Sequence, residues 1–210
     1  MSIWARIIRD VVICCFAYLM GSLPFSYIFA KMIRGVDITK VGSGNMGATN
    51  VLRTAGPVAA AFAFLGDFLK AVLVLLVVPL VFHDSPRFVL LAAGVAVVLG
   101  HDFSVFAGFH GGKGVATTFA VVSVVSWPVA IVEAAIWLSA VVASRTVSLA
   151  SIAALAALPL IAAIAGQPRD VLIVYSLLAV LGIVRHSSNI KRLLTRTEPR
   201  LDPRYFRRKP

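Results

Sequence analysis

Three short stretches of this chain gather the residue types that hold phosphate. In the first, Gly42-Ser43-Gly44-Asn45-Met46-Gly47-Ala48-Thr49-Asn50-Val51-Leu52-Arg53, glycines let backbone amides turn toward an anion. The hydroxyl, amide and guanidinium groups between them donate to its oxygens. In the second, Gly111, Gly112 and Gly114 surround Lys113 just before an apolar run, so an ammonium and a helix N-terminus would share one ligand. In the third, Arg185 to Glu198, His186 and Asn189 are three apart and share a helical face among basic neighbours.

None of the three is a nucleotide motif. Gly42, Gly44 and Gly47 spell G-x-G-x-x-G, but no buried strand precedes them and no βαβ unit surrounds them. A nucleoside triphosphate loop needs glycine where Ala107 stands and Ser or Thr where Gly114 stands.

The elements that must carry these stretches are membrane helices. Of the 210 residues, 60% are apolar and 14% charged, with mean hydropathy +0.93; soluble domains are about 45–50% apolar and about a quarter charged. The apolar residues fall in long runs, Val11–Ala30, Ala55–Phe82, Gly114–Ser144 and Ser148–Gly166, with shorter ones at Phe88–Gly100 and Val171–Val184. Gly114–Ser144 as one helix would extend about 46 Å at 1.5 Å per residue, half as long again as the ~30 Å hydrocarbon core. Trp127-Pro128 divides it, since proline breaks the backbone ladder and tryptophan favours the interface. The expectation is a single all-α domain over residues 1–210 with about seven transmembrane helices. The N-terminal run is too long for a signal peptide and no small-x-small site follows it, so it is expected to span.

Charge sets the orientation. With seven spans and the N-terminus outside, Lys31, Arg34, Lys40, Arg53, Lys113, Arg145 and the basic tail (about 186–210) lie inside, against Arg6, Arg9, Arg87 and Arg169 outside. All three polar stretches then face the cytoplasm. The net charge of +11 is read as topology and attraction to anionic headgroups, not as nucleic-acid binding. Phe103, Phe106 and Phe109 are expected to be interfacial anchors. Asp67 and Lys70, three apart within a span, are expected to form an ion pair supporting the site. Cys14 and Cys15 are adjacent, point to different faces and have no metal-binding neighbours, so they are packing residues.

Taken together, the stretches resemble the bacterial acyl-phosphate:glycerol-3-phosphate acyltransferases, the PlsY family. Its motifs read G-S-G-N-x-G-x-T-N-x-x-R, G-H-x-F-x-x-F-x-x-F-x-G-G-K-G-V-A-T and R-H-x-x-N-I-x-R-L-L-x-G-x-E. The first matches from Gly42 to Arg53. The second matches at Gly100, His101, the three phenylalanines and Gly111–Thr117, with Ser104 and Ala107 where Pro and Leu are usual. The third matches from Arg185 to Leu194 and at Glu198, with Arg196 in place of glycine.

The resemblance implies attack of the sn-1 hydroxyl of glycerol 3-phosphate on an acyl phosphate. The products are lysophosphatidic acid and inorganic phosphate, in the first step of phospholipid synthesis at the bacterial inner membrane. It implies that Ser43, Arg53, Lys113, His186 and Asn189 hold glycerol 3-phosphate, with Lys113, Ser43 and His186 closest to the chemistry. Gly111, Gly112, Gly114 and Thr117 would cradle the acyl phosphate, while Asn45, Thr49, Asn50, His101 and Glu198 support. An acyl phosphate carries its own leaving group, so no metal or cofactor is called for. Whether the enzyme that makes acyl phosphate hands it over directly is left open.

Residue chemistry agrees. Acyl-CoA-dependent acyltransferases carry H-x-x-x-x-D, yet the residues five after His83, His101, His110 and His186 are Phe88, Phe106, Val115 and Lys191. No G-x-S-x-G supplies a serine nucleophile. The alternative, a small anion or phosphate transporter, would also use glycine-rich loops, but no internal repeat is visible. In a background with Cys14 and Cys15 replaced by alanine, cysteines introduced at Ser43, His110 and Thr195 are expected to react with impermeant reagents from the cytoplasmic side only. Labelling of any of them from outside would overturn the shared face.

Overall fold

The computed structural model describes residues 2–83, 85–202 and 205. The basic residues Arg204, Arg207, Arg208 and Lys209 of the tail lie outside them. Every regular element among the described residues is helical: α1 (Ile3–Gly21), α2 (Phe25–Arg34), α3 (Ala48–Ala55), α4 (Pro57–Val81), α5 (Arg87–Asp102), a single 3₁₀ turn (Val105–Ala107), α6 (Val115–Val125), α7 (Trp127–Ser144), α8 (Val147–Ile164), α9 (Arg169–Arg185) and α10 (Ser187–Leu194). They form two compact units, Met1–Val124 and Val125–Pro210.

The all-α membrane architecture expected from composition is present. Five segments are long and apolar enough to cross a bilayer, and the pair α9 and α10, bent by 58°, makes a sixth. The remaining candidate, α6, has 11 residues, about 16 Å at 1.5 Å per residue, so a seventh crossing here would have to draw on the non-helical turn that precedes it. The break before Pro128 falls as expected, with Trp127 opening α7 and its proline in the first turn, where a missing N–H costs nothing. The two short apolar runs gain length from flanking polar residues: α5 begins at Arg87 and reaches Asp102, and α9 extends from Arg169 to Arg185.

The first run differs from expectation. Val11–Ala30 is not one helix: α1 starts at Ile3, stops at Gly21, and the chain re-enters helix at Phe25. Pro24 is the cause, because it cannot donate an amide to the turn before it. Ser22 and Leu23 close the end of α1 with bonds to Tyr18, Leu19 and Met20 carbonyls.

In the first unit, α1 and α5 cross at backbone contact. A Cβ on Gly21 would overlap the Val97 carbonyl, and one on Gly100 would overlap that of Tyr18. Small residues at a membrane helix crossing let backbones approach in this way. Tyr18 Oη then donates to the Phe103 carbonyl (2.6 Å) and Ser104 Oγ to that of Ser22 (2.5 Å), pinning the end of α5 to the α1–α2 break. In the second unit α8 packs on α7 and α9, and Gly182 admits the Leu155 side chain. Gly21→Ala is expected to cost about 1–3 kcal/mol by overpacking, seen as earlier thermal unfolding in detergent; an unchanged midpoint would contradict the crossing.

Candidate functional site

In the first unit the first two motifs meet. The chain from Val41 to Gly47 loops between α2 and α3, with Gly42 (φ 62°) and Gly44 (φ 69°) in the left-handed region. Asn50, buried at the start of α3, organises the loop. Its Oδ1 accepts from the Ser43 N–H (3.0 Å), and its amide donates to the carbonyls of Ile38 (3.0 Å), Val41 (3.2 Å) and Asn45 (3.0 Å). A Cβ on Gly42 would overlap Asn50 Oδ1, so glycine there is a condition of the arrangement. Below it lies an apolar core that includes Ala30, Ile38, Met46, Val51 and Ala59. Ser43 is left exposed; Thr49 and Arg53 are half-buried on α3.

The second motif wraps the C-terminal end of α5. The Gly112 N–H donates to the His101 carbonyl (3.0 Å). A Cβ on Gly111 would overlap that same carbonyl, and one on Gly112 would overlap His101 Nε2. Gly114 (φ 70°) directly precedes α6, and a Cβ on it would lie 3.2 Å from Asp102 Oδ1. The turn 111–114 is thus a backbone strand moulded over His101 and Asp102, ending at a helix N-terminus with half-buried Lys113 in the middle. Asn45 Nδ2 donates to the Gly111 carbonyl (3.2 Å), joining the two motifs directly. Thr117 is fully buried and its hydroxyl donates to the Gly114 carbonyl (3.0 Å), so its hold on a ligand would run through the Gly114 backbone.

Behind the turn, Asp67 and Lys70 form the expected ion pair (2.7 Å), and it includes a third member. His101 Nδ1 lies 3.1 Å from Lys70 Nζ and 3.4 Å from Asp67 Oδ1. Asp102, entirely buried at the end of α5, and Ser104 are further buried polar residues beside the turn that the motif spacing did not single out.

The third motif builds a cluster in the second unit. His186, at the bend between α9 and α10, is buried, and its Nδ1 is 2.7 Å from the Gly182 carbonyl, which fixes the proton on Nδ1. Glu198 is the hub: its Oε1 accepts from Ser148 Oγ (2.8 Å) and Asn189 Nδ2 (2.7 Å), and its Oε2 from Arg192 Nε (2.7 Å). Arg196, where glycine is usual, adopts φ 57°. The Thr197 N–H reaches the Arg192 carbonyl (2.8 Å) and the Arg196 N–H that of Leu193 (3.1 Å), the bonding of a left-handed helix C-cap. The turn is kept although its usual residue is not. Phe106 and Phe109 are exposed and Phe103 partly so.

Burial alone would raise the Glu198 carboxyl, but the hydrogen bonds from Ser148, Arg192 and Asn189 outweigh it and hold the group below the ordinary glutamate range. A carboxyl with a lowered folded value stabilises fully above its unfolded value, about 4.3, and loses that contribution as pH falls through the lowered one. Thermal stability in detergent is therefore expected to drop below about pH 4.3. Glu198→Gln should cost about 1.5–3 kcal/mol at neutral pH and flatten the acid dependence. An unchanged acid slope in the variant would remove Glu198 from this role.

Comparison with known proteins shows the family. The family described as Glycerol-3-phosphate acyltransferase matches residues 11–196. A glycerol-3-phosphate acyltransferase of Aquifex aeolicus is 46% identical over 88% of this chain and 95% of its own length. One from Thermotoga petrophila is 44% identical over 88% and 93%. Crystal structures of PlsY, an integral membrane glycerol 3-phosphate acyltransferase, align with TM-scores of 0.85 in the glycerol 3-phosphate form and 0.84 in the lysophosphatidic acid form. Both are 44% identical to this chain and cover 92% of it and 96% of their own. With a matching family model over most of its length and relatives of this closeness, the chain belongs to the glycerol-3-phosphate acyltransferase family.

Proposed function

We propose that this enzyme takes its acyl group from acyl phosphate and gives it to the sn-1 hydroxyl of glycerol 3-phosphate, releasing lysophosphatidic acid and inorganic phosphate. The observation that carries the reading is the direct bond from Asn45 to the Gly111 carbonyl. It joins two glycine-rich loops, each fit for one phosphate, and the reaction has two phosphate-bearing substrates. The turn Gly111–Gly114 at the start of α6 receives the acyl phosphate, with Thr117 bracing Gly114. Ser43, Arg53, Lys113, His186 and Asn189 hold glycerol 3-phosphate; Asn45, Thr49 and Asn50 shape the first loop; His101 and Glu198 orient their neighbours. The entire chain, 1–210, serves this one activity in the bacterial inner membrane, with the N-terminus outside, seven spans and the three motifs toward the cytoplasm.

Transfer is direct. The hydroxyl oxygen attacks the acyl carbonyl, phosphate leaves with the electron pair of the C–O bond, and the hydroxyl proton passes to a substrate phosphate oxygen. The protein contributes orientation and charge. Lys113 neutralises the charge that grows on the departing phosphate. The solved relative's glycerol 3-phosphate and lysophosphatidic acid forms support this substrate and product pair. A phosphate transporter is disfavoured because no repeat accompanies the loops.

Purified enzyme in detergent is expected to release phosphate only when both acyl phosphate and glycerol 3-phosphate are present, and to ignore acyl-CoA. Lys113→Ala should lose at least about 10²-fold in turnover, the scale of one lost oxyanion-type donor. Ser43→Ala should mainly raise the KM for glycerol 3-phosphate. Robust turnover with acyl-CoA, an active Lys113→Ala enzyme, or acyl-enzyme trapped by rapid quench before glycerol 3-phosphate is added would each refute this mechanism.

A further inference from the structure

The cluster behind the phosphate turn does more than neutralise itself. Lys70 is buried and its ammonium has three protons. Three acceptors surround it: Asp67 Oδ1 at 2.7 Å, the Leu23 carbonyl at 2.9 Å and His101 Nδ1 at 3.1 Å. Nδ1 also lies 3.4 Å from Asp67 Oδ1, but an ammonium only donates, so with Lys70 bonded to Nδ1 the ring nitrogen receives and the proton of the neutral ring resides on Nε2. The other Asp67 oxygen takes the Ser26 hydroxyl (2.8 Å). The Nε2 tip of the ring is the atom that a Cβ on Gly112 would strike, while the His101 carbonyl holds the Gly112 N–H. Ring and backbone of one residue therefore grip the same turn. Beside them a void of about 10 Å³, lined by Lys70, His101, Ser104, Gly111 and Gly112 among others, has room for roughly one water.

We propose that Lys70, Asp67 and His101 form a positioning device for the acyl-phosphate end of the reaction. Lys70 locks His101 as the Nε2–H tautomer, and that N–H faces the Gly111–Gly112 turn and holds it in its anion-binding shape. The inference rests on the proposed reading that acyl phosphate occupies this turn. His101 and Lys70 are positioning residues: they act through the glycines. Loss of the device should raise the KM for acyl phosphate by more than that for glycerol 3-phosphate, whose share of the turn is limited to Lys113.

Two substitutions separate the halves of the imidazole. His101→Gln keeps an amide donor near the Nε2 position and gives up the acceptor for Lys70. His101→Asn keeps an acceptor near Nδ1 and gives up the donor toward the turn. His101→Asn is expected to raise the acyl-phosphate KM by about tenfold, the scale of one hydrogen bond, with His101→Gln closer to the parent and, in both variants, a smaller rise toward glycerol 3-phosphate. The reverse order, or equal rises in both KM values, would overturn the proposal.

A measurement on the unsubstituted enzyme holds even if the variants misfold. Nitrogen-15 NMR of its histidines in detergent should show His101 unprotonated at Nδ1 and protonated at Nε2, and His186 with the opposite pattern. A protonated Nδ1 on His101 would overturn the Lys70 lock. If the parent enzyme shows no dependence on acyl phosphate, the donor reading fails by itself, while the tautomer result still decides whether Lys70 sets the ring.

Discussion

A buried ammonium is the constraint around which the first unit is arranged. Moving an ion out of water costs several kcal/mol even after the protein relaxes, and Lys70 sits in the middle of α4 among apolar neighbours. It is tolerable only with every proton received, and each acceptor makes its own demand on the chain. The Leu23 carbonyl is offered because helix stops between α1 and α2. Asp67 is offered from one turn earlier on α4, and Ser26 steadies it from α2. His101 is offered because Gly21 and Gly100 let α1 and α5 meet backbone to backbone. A helix break, a glycine crossing and a histidine at the end of α5 are three answers to one electrostatic problem.

The second unit answers an opposite problem with the same logic. Glu198 carries a buried negative charge beyond the last helix, and donors from α8 and α10 converge on it. The carboxylate ties a segment without regular structure to two helices at once, and Asn189 is oriented by the same bonds. In each unit a motif residue is fastened to a partner distant in sequence, His101 to the charged Lys70 and the Glu198 carboxylate to the Ser148 hydroxyl, so each cluster is as much a fastening as a site.

That distance explains what was legible in the sequence. Glycine and proline act locally, so the two glycine-rich loops and the break before Pro128 could be read from a few residues. The stop at Ser22–Pro24 has the same local signal in Pro24, but hydropathy sees only composition and carried the apolar run straight through it. Asp67 and Lys70, three apart, were readable as a pair; His101, on another helix, was not readable as their third member. Asp102 stands at an unspecified position of its motif and shows its place only once the turn folds over it. Arg196 is the instructive exception, since it stands where glycine is usual, leaving the turn after Leu194 open in the sequence, and the backbone keeps its left-handed cap.

The four bonds of Asn50 have an entropic consequence. Fixing one residue's backbone costs roughly 1–2 kcal/mol, and a loop that orders only around its ligand subtracts that sum from affinity. Here one buried amide ties Ile38, Val41, Ser43 and Asn45 together, so the ordering is completed when the chain folds. A small anion reaching this loop meets a surface already set. Capture of a phosphate there, as proposed, would be a docking event, with a rate governed by diffusion and charge and not by closure of the chain around it.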